Sequence, residues 1–124
     1  MSKTIFVVDD NGTNLVMVEA ALEKEFRVIT MPSALKMFTL LEEVMPDLIL
    51  LDIEMPEMSG FEALERLKAN DAHAHIPVIL LTGMTAVANK IRGIELGAVD
   101  FVTKPFSELA LLHCVKGHLK QAGL

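Results

Sequence analysis

The chain contains, near its middle, the stretch Asp47-Leu48-Ile49-Leu50-Leu51-Asp52-Ile53-Glu54-Met55-Pro56, in which four consecutive apolar residues lead directly into an acid. An apolar run this short, bounded by turn residues, is typical of a strand that is buried on both faces of a sheet. Asp52 lies where that strand ends. A carboxylate beside so much core must be paired, bound to a metal or reactive.

The segments on either side of this strand predict an alternating series of strands and helices. Further strands are expected at residues 4–8, 26–30, 78–81 and 99–103, with the central one at 48–51. Helices are predicted from N-cap or first-turn signals, which are Asn11 or Thr13, Pro32, Ser59 with Glu62, Thr85 and Ser107. The apolar positions that we expect to face the core are Leu15, Val18 and Leu22, then Leu35, Phe38 and Leu41, then Phe61, Leu64 and Leu67, then Val87, Ile91 and Ile94, then Leu112, Val115 and Leu119.

This alternation predicts an α/β fold in which five parallel strands form one sheet with five helices on both faces. Connections between such strands are right-handed. Ligands of open parallel sheets bind beyond the carboxyl ends of the strands, so the residues that follow each strand are the candidates for a functional site.

Polar residues that could together form one functional site follow four of the predicted strands. They are Asp9 and Asp10 after the first, Asp52 after the third, Thr82 after the fourth and Lys104 after the fifth. Carboxylates gathered at one edge repel one another, and oxygen ligands with excess negative charge suit a hard divalent ion, for which we predict Mg²⁺. Lys104 and Thr82 add a cation and a hydroxyl donor.

Acids, a metal, a lysine and a hydroxyl together indicate phosphoryl chemistry, which depends mainly on positioning and on cations. A carboxylate can itself be the nucleophile and form an aspartyl phosphate. Asp52 is the preferred nucleophile because its strand is predicted to lie centrally, and Asp10 remains the alternative.

The composition restricts the classes of protein to which the chain can belong. Its 124 residues, 52% of them hydrophobic, suit one domain over residues 1–124. The formal net charge of -6 argues against sequence-independent nucleic-acid binding. We expect a cytoplasmic protein, because neither a membrane span nor a secretory signal is evident. The single cysteine, Cys114, fits a reducing compartment and is predicted to pack as a small hydrophobic residue, and the four histidines are assigned no function.

The chain resembles, from end to end, the receiver domains of two-component response regulators. The resemblance is carried, in order, by Val7-Val8-Asp9-Asp10-Asn11, Leu51-Asp52-Ile53-Glu54-Met55-Pro56-Glu57-Met58-Ser59-Gly60, Leu81-Thr82-Gly83 and Asp100-Phe101-Val102-Thr103-Lys104-Pro105-Phe106. It implies a doubly wound, flavodoxin-like sheet with strand order 2-1-3-4-5 and a cis peptide bond between Lys104 and Pro105.

The resemblance also implies a role for each residue of the site. Asp52 would accept a phosphoryl group, and Asp10 and Asp52 would bind Mg²⁺ directly. The backbone carbonyl of Glu54 would be a further ligand, and Asp9 would assist through water. Lys104 would contact the phosphoryl group.

Thr82 and Phe101 would form the conformational switch that the resemblance implies. Thr82 would close onto the phosphoryl group and Phe101 would move inward behind it, which changes the fourth helix and fifth strand. Phe101 lacks the hydroxyl of the tyrosine that many family members carry. Glu54 and Met84, at the mouth of the site, are positions that vary in the family and influence attack by water.

The function implied is a phosphorylation-controlled signalling switch that catalyses only its own phosphorylation and dephosphorylation. Its partners would be a sensor histidine kinase or a histidine phosphotransfer protein, and a downstream effector or a linked output domain. A dimer formed on phosphorylation is a further option, whereas direct contact with nucleic acid or a membrane is not expected. The chain is either a stand-alone receiver or part of a longer regulator.

Two other functions remain as alternatives. An aspartate-nucleophile phosphatase of the haloacid-dehalogenase type also uses an acid at a strand end with Mg²⁺, but it requires a hydroxyl residue after its second acid, where this chain has Met55-Pro56. Turnover of a small phosphate ester would favour it. A pseudo-receiver would bind a partner without phosphorylation, and the complete set of acids and lysine argues against that reading.

Overall fold

Five parallel strands form one sheet in the computed structural model, which describes residues 2–83 and 87–121. The strands are β1 (Thr4–Val8), β2 (Arg27–Met31), β3 (Leu48–Asp52), β4 (Val78–Thr82) and β5 (Asp100–Thr103). The helices are α1 (Gly12–Leu22), α2 (Ala34–Leu41), α3 (Gly60–Ala69), α4 (Val87–Glu95) and α5 (Glu108–Gln121). The strand order is β2-β1-β3-β4-β5, which confirms the predicted fold, and each strand lies within one residue of its predicted position.

The buried strands supply both halves of the core because successive side chains point to opposite faces of the sheet. One face packs against α2 and α3, and its strand residues are Phe6, Val8, Met31, Ile49, Leu51, Val78 and Leu80. The other face packs against α1 and α5, and its strand residues are Ile5, Val7, Leu48, Leu50, Ile79 and Leu81. This two-sided burial explains why the central strands are continuous apolar runs.

Side-chain caps begin the helices where the sequence places them, with one correction. Asn11, Ser59 and Ser107 each accept a hydrogen bond from a backbone N–H in the first turn of the following helix. The second helix does not begin at Pro32, because Ser33 is its N-cap and accepts a hydrogen bond from the backbone N–H of Lys36 at 3.2 Å. The predicted cap Thr85 and the site-mouth residue Met84 lie outside the described residues.

Two predicted inward faces need correction, one in part and one in full. In α2, Leu41 is buried and Phe38 packs against the core as predicted, but Leu35 is 52% exposed, and Ala34 and Met37 are buried in its place. In α4 the apolar stripe itself lies outside, and its exposed residues are Val87, Ile91 and Ile94. The buried residue of α4 is Gly93, where a Cβ would lie 2.6 Å from Cδ1 of Leu80. The absence of a side chain at this position allows the helix to lie close to β4, which turns its larger apolar residues toward solvent.

The structure also bears on the predicted cis peptide bond and on the prediction that the chain has no membrane span. The Lys104–Pro105 peptide bond is cis, as the resemblance implies. Within residues 2–83 and 87–121, no helix combines the length and apolar character that a membrane span requires.

Gly60 offers a test of the close contact between β3 and α3. Its backbone N–H donates to the carbonyl of Ile53 at 2.8 Å, and a Cβ would collide with the Asp52 carbonyl oxygen and lie 2.8 Å from Cα of Ile53. Because these atoms belong to the backbone, the Gly60→Ala variant should lose about 2 to 4 kcal/mol of unfolding free energy in urea titrations.

The Gly117→Ala variant is the matched control, since Gly117 lies in α5 with open space around it. It should gain about 0.5 to 1 kcal/mol from the higher helix propensity of alanine. Equal effects at the two glycines would contradict the close approach at Gly60.

Candidate functional site

The carboxyl edge of the sheet gathers the predicted site residues. Asp9 follows β1, Asp52 and Thr82 are the last residues of β3 and β4, and all three are buried. Asp10 is exposed beside them. Single carboxylate oxygens of Asp9, Asp10 and Asp52 lie within 4.8 Å of one another. The structure therefore brings together the three acids that the sequence places at separate strand ends.

Backbone hydrogen bonds hold these strand ends in register. The N–H of Asp9 donates to the carbonyl of Met31 on β2 at 3.2 Å. The N–H of Ile53, next to Asp52, donates to the carbonyl of Leu81 at 3.1 Å. The N–H of Lys104 donates to the carbonyl of Thr82 at 2.7 Å. Each bond continues the ladder one residue past a strand, so the site is fixed by the sheet itself.

Lys104 bridges the two buried acids. Its Nζ donates to Oδ2 of Asp9 and to Oδ1 of Asp52, both at 3.0 Å. The lysine side chain is 20% exposed, whereas the side chains of Asp9 and Asp52 are 1% and 5% exposed. The contact is therefore a largely desolvated cluster of two carboxylates and one ammonium, which leaves excess negative charge in the cleft.

The pKa of Asp52 is raised to about 6, chiefly by burial, with a further contribution from the Asp9 charge and opposition from Lys104. Burial alone would lower the pKa of the Lys104 ammonium, but its hydrogen bonds to both acids and their charges raise it overall. Lys104 is thus held as a cation, and Asp52 is ionised at neutral pH at a cost that a bound cation would reduce.

Asp9 and Asp10 differ in how much of each carboxylate is already engaged. Asp9 accepts from the backbone N–H of Asn11 through Oδ1 at 2.9 Å and from Lys104 through Oδ2. Asp10 is exposed and directs an oxygen into the same cluster. The cluster of hard oxygen donors fits a divalent cation such as Mg²⁺. Glu54 lies two residues beyond Asp52 with an exposed side chain, and the role of its carbonyl stays a prediction.

A narrow crevice connects Thr82 with Phe101. Its lining residues are Ile53, Leu80, Thr82, Asn89, Lys90 and Phe101. Phe101 is half-buried, and Nζ of Lys90 lies 4.9 Å from the centre of its ring. Thr82 and Phe101 therefore line the same crevice, and their coupling as a switch stays a prediction.

An open groove lies away from this edge. It has a volume of about 510 Å³ and runs between β2 and α2, where its lining includes Met31, Leu35 and Leu40. Because this groove holds no cluster of acids, we place the chemistry at the carboxylate edge, where the titratable groups converge.

A second group of polar side chains was not predicted. Asp100 at the start of β5 accepts from Sγ of Cys114 at 3.5 Å, and it contacts Nε2 of His118 at 2.9 Å. Burial and the Asp100 charge raise the pKa of the Cys114 thiol to about 11. Cys114 does pack against the core as expected. The i, i+4 spacing of Cys114 and His118 is the sequence signal that could have indicated the pair.

Comparison with known proteins agrees with the fold and with the motifs. The family model for the response regulator receiver domain matches residues 5–116. The chain is 41% identical to a probable cyclic di-GMP phosphodiesterase of Vibrio cholerae, over 94% of its own length and 26% of that protein. It is 32% identical to the polar-differentiation response regulator DivK of Brucella ovis, over 98% of its length and 100% of that protein.

A solved structure matches the whole chain. A CheY-like response regulator receiver domain protein of Methanospirillum hungatei superposes with a TM-score of 0.91 at 27% identity, over 99% of this chain and 98% of that one. The chain spans about a quarter of the length of the first curated relative and the full length of DivK. Its relatives therefore include both much longer proteins and proteins of its own size.

Proposed function

The chain belongs to the response regulator receiver domain family, and we propose that it is a signalling switch controlled by phosphorylation of Asp52. The observation that carries this proposal is the position of Asp52 at the end of the central strand, with Nζ of Lys104 at 3.0 Å and two further acids in reach. We propose that residues 1–124 act as one receiver domain.

The transfer would be a displacement at phosphorus. A carboxylate oxygen of Asp52 forms a bond to phosphorus, the bond from phosphorus to a histidine nitrogen of the kinase or phosphotransfer partner breaks, and the imidazole keeps that electron pair. Lys104 is positioned to neutralise charge on the phosphoryl oxygens. The chain would catalyse this step and the later hydrolysis only on itself.

Mg²⁺ is the cofactor that fits the acids. When bound, it would supply positive charge to the phosphoryl oxygens. Asp10 and Asp52 are the proposed direct ligands with the carbonyl of Glu54, because the two oxygens of Asp9 are already engaged by Asn11 and Lys104. Asp9 would then act through water and would keep Lys104 in place.

Thr82 and Phe101 would transmit the change to the surface of α4, β5 and α5. Because Thr82 and Phe101 line the same narrow crevice, we expect Phe101 to repack when Thr82 turns toward the phosphoryl group. This surface exposes apolar side chains on neighbouring elements, and they are Val87, Ile91, Ile94, Val99 and Leu109. We propose that a downstream effector, a linked output domain or a second phosphorylated copy binds here.

Binding of beryllofluoride, which stands for a phosphoryl group, tests the proposed site. Fluorine NMR of the wild-type chain should show bound fluoride signals only when Mg²⁺ is present. The Asp52→Asn variant should lose them, and the exposed loop variant Asp71→Asn should keep them. Bound signals in Asp52→Asn, or none in the wild type, would contradict the proposal, and the second result would favour a pseudo-receiver.

A further inference from the structure

The cluster of Asp100, Cys114 and His118 joins β5 to α5. Asp100 is the first residue of β5, so this cluster lies at the opposite end of the strand from the acids. Oδ2 of Asp100 lies 3.5 Å from Sγ of Cys114 and 2.9 Å from Nε2 of His118. One ligand-type atom from each residue lies within 4.8 Å of the other two. A carboxylate, a thiol and an imidazole therefore lie close together, and none of these three residues belongs to the proposed phosphorylation site.

These separations suit a tetrahedral metal ion. With bonds of about 2.0 to 2.3 Å to oxygen, nitrogen and sulfur, neighbouring ligand atoms of a zinc site lie about 3.3 to 3.5 Å apart. The distance from oxygen to sulfur already has this value, and the distance from oxygen to nitrogen needs to open by a few tenths of an ångström. The third separation, from the sulfur of Cys114 to a ring nitrogen of His118, is no more than 4.8 Å, so closing the site requires the two side chains to approach each other.

Local structure orients all three residues of this cluster. Cys114 and His118 lie four residues apart in α5 and so share one side of the helix. The N–H of Phe101 donates to Oδ1 of Asp100 at 2.8 Å, which turns Oδ2 toward the helix. Lys116, which lies between Cys114 and His118 in the sequence, forms an ion pair with Glu25 at 2.7 Å.

We propose that Asp100, Cys114 and His118 form a binding site for a borderline divalent transition metal of the Zn²⁺ class. A thiolate, a neutral imidazole and a carboxylate select such an ion over Mg²⁺ or Ca²⁺, and two negative ligands balance its charge. The side chains of His118 and Asp100 are 18% and 42% exposed, which gives the ion a route in and water the fourth position. On binding, the ion replaces the thiol proton, which passes to solvent.

Such an ion would connect the strand that carries Phe101 to the last helix. Asp100 directly precedes Phe101, and α5 packs against the opposite face of the sheet from α2 and α3. The site would therefore restrain β5 relative to α5.

Cobalt substitution tests the site, because Cys114 is the only cysteine of the chain. Titration of the reduced protein with Co²⁺ should produce a thiolate-to-cobalt charge-transfer band that saturates at one ion per chain. Zn²⁺ should then abolish the band, since it binds such sites more tightly than Co²⁺. Thermal unfolding should shift upward with Zn²⁺.

Ligand variants separate this site from adventitious binding. Cys114→Ser should abolish the band, and His118→Gln and Asp100→Asn should each weaken Co²⁺ binding by at least about tenfold. His113→Gln, which removes an exposed histidine of the same helix, should bind Co²⁺ as the wild type does. Absence of the band, equal binding by His118→Gln and His113→Gln, or saturation at one ion per two chains would overturn the proposal.

Discussion

The Lys104→Met variant should lose about 3 to 5 kcal/mol of unfolding free energy near pH 8 in the absence of Mg²⁺. Lys104 donates to Asp9 and Asp52 at 3.0 Å each, and both acids are almost fully buried. Its removal leaves two buried carboxylates without their cation. Urea titration should show this loss, and the deficit should shrink at low pH, where protonation removes the unpaired charge.

Lys116→Met is the matched control for this prediction. Lys116 also forms an ion pair, with Glu25 at 2.7 Å, but the side chains are 53% and 41% exposed. Its replacement should change the unfolding free energy by no more than about 0.5 kcal/mol. A similar small effect for Lys104→Met would mean that the cluster at the sheet edge is not a desolvated one.

The Asp52→Asn variant should be more stable than the wild type near pH 8 without Mg²⁺. The pKa of Asp52 is about 6 in the folded chain, mainly because of burial, against an ordinary value of 3.8. A shift of about two units corresponds to about 3 kcal/mol, and the weaker contact of an amide with Lys104 offsets part of it. We therefore expect a gain of about 1 to 3 kcal/mol in urea titrations.

The pH dependence of this gain has a definite sign. Because the pKa is raised by folding, ionisation of Asp52 works against the folded state. The penalty is absent below about pH 4, grows as the pH rises from 4 to 6 and is complete above that range. The stability difference between Asp52→Asn and the wild type should follow the same course, and Mg²⁺ should reduce it. The exposed variant Asp71→Asn should show no such course, and a difference independent of pH would contradict the explanation.

Much of the fold follows from residues whose environment is set by local chain geometry. The apolar runs Leu48–Leu51 and Val78–Leu81 fit strands that are covered on both sides, and the strand ends then follow from the first polar residue. The acids and Lys104 could be assigned to one edge because the strands are parallel, and the structure does bring them together.

The orientation of α4 could not be obtained in this way. Its apolar stripe has the period of a buried face, yet Ile91 and Ile94 are about half exposed. The side of α4 that packs on the sheet carries Gly93, which has no side chain and so leaves space for Leu80. A search for periodic apolar residues cannot detect a contact that depends on a missing side chain. Apolar side chains of α4 that face solvent are available to contact a binding partner.

Contacts between distant segments were also beyond the sequence. The proximity of Cys114 and His118 on one helix could be inferred from their spacing, but nothing in the sequence places Asp100 beside them. That contact depends on how α5 crosses β5, which is a property of tertiary packing.

Intact-mass measurement after incubation with acetyl phosphate and Mg²⁺ tests the central proposal most directly. The wild type and Asp71→Asn should each gain the mass of one phosphoryl group, and Asp52→Asn should gain none. Alkaline hydroxylamine should remove the adduct, as expected for an acyl phosphate. An adduct that persists in Asp52→Asn but is absent from Asp10→Asn would contradict Asp52 as the nucleophile and would assign that role to Asp10.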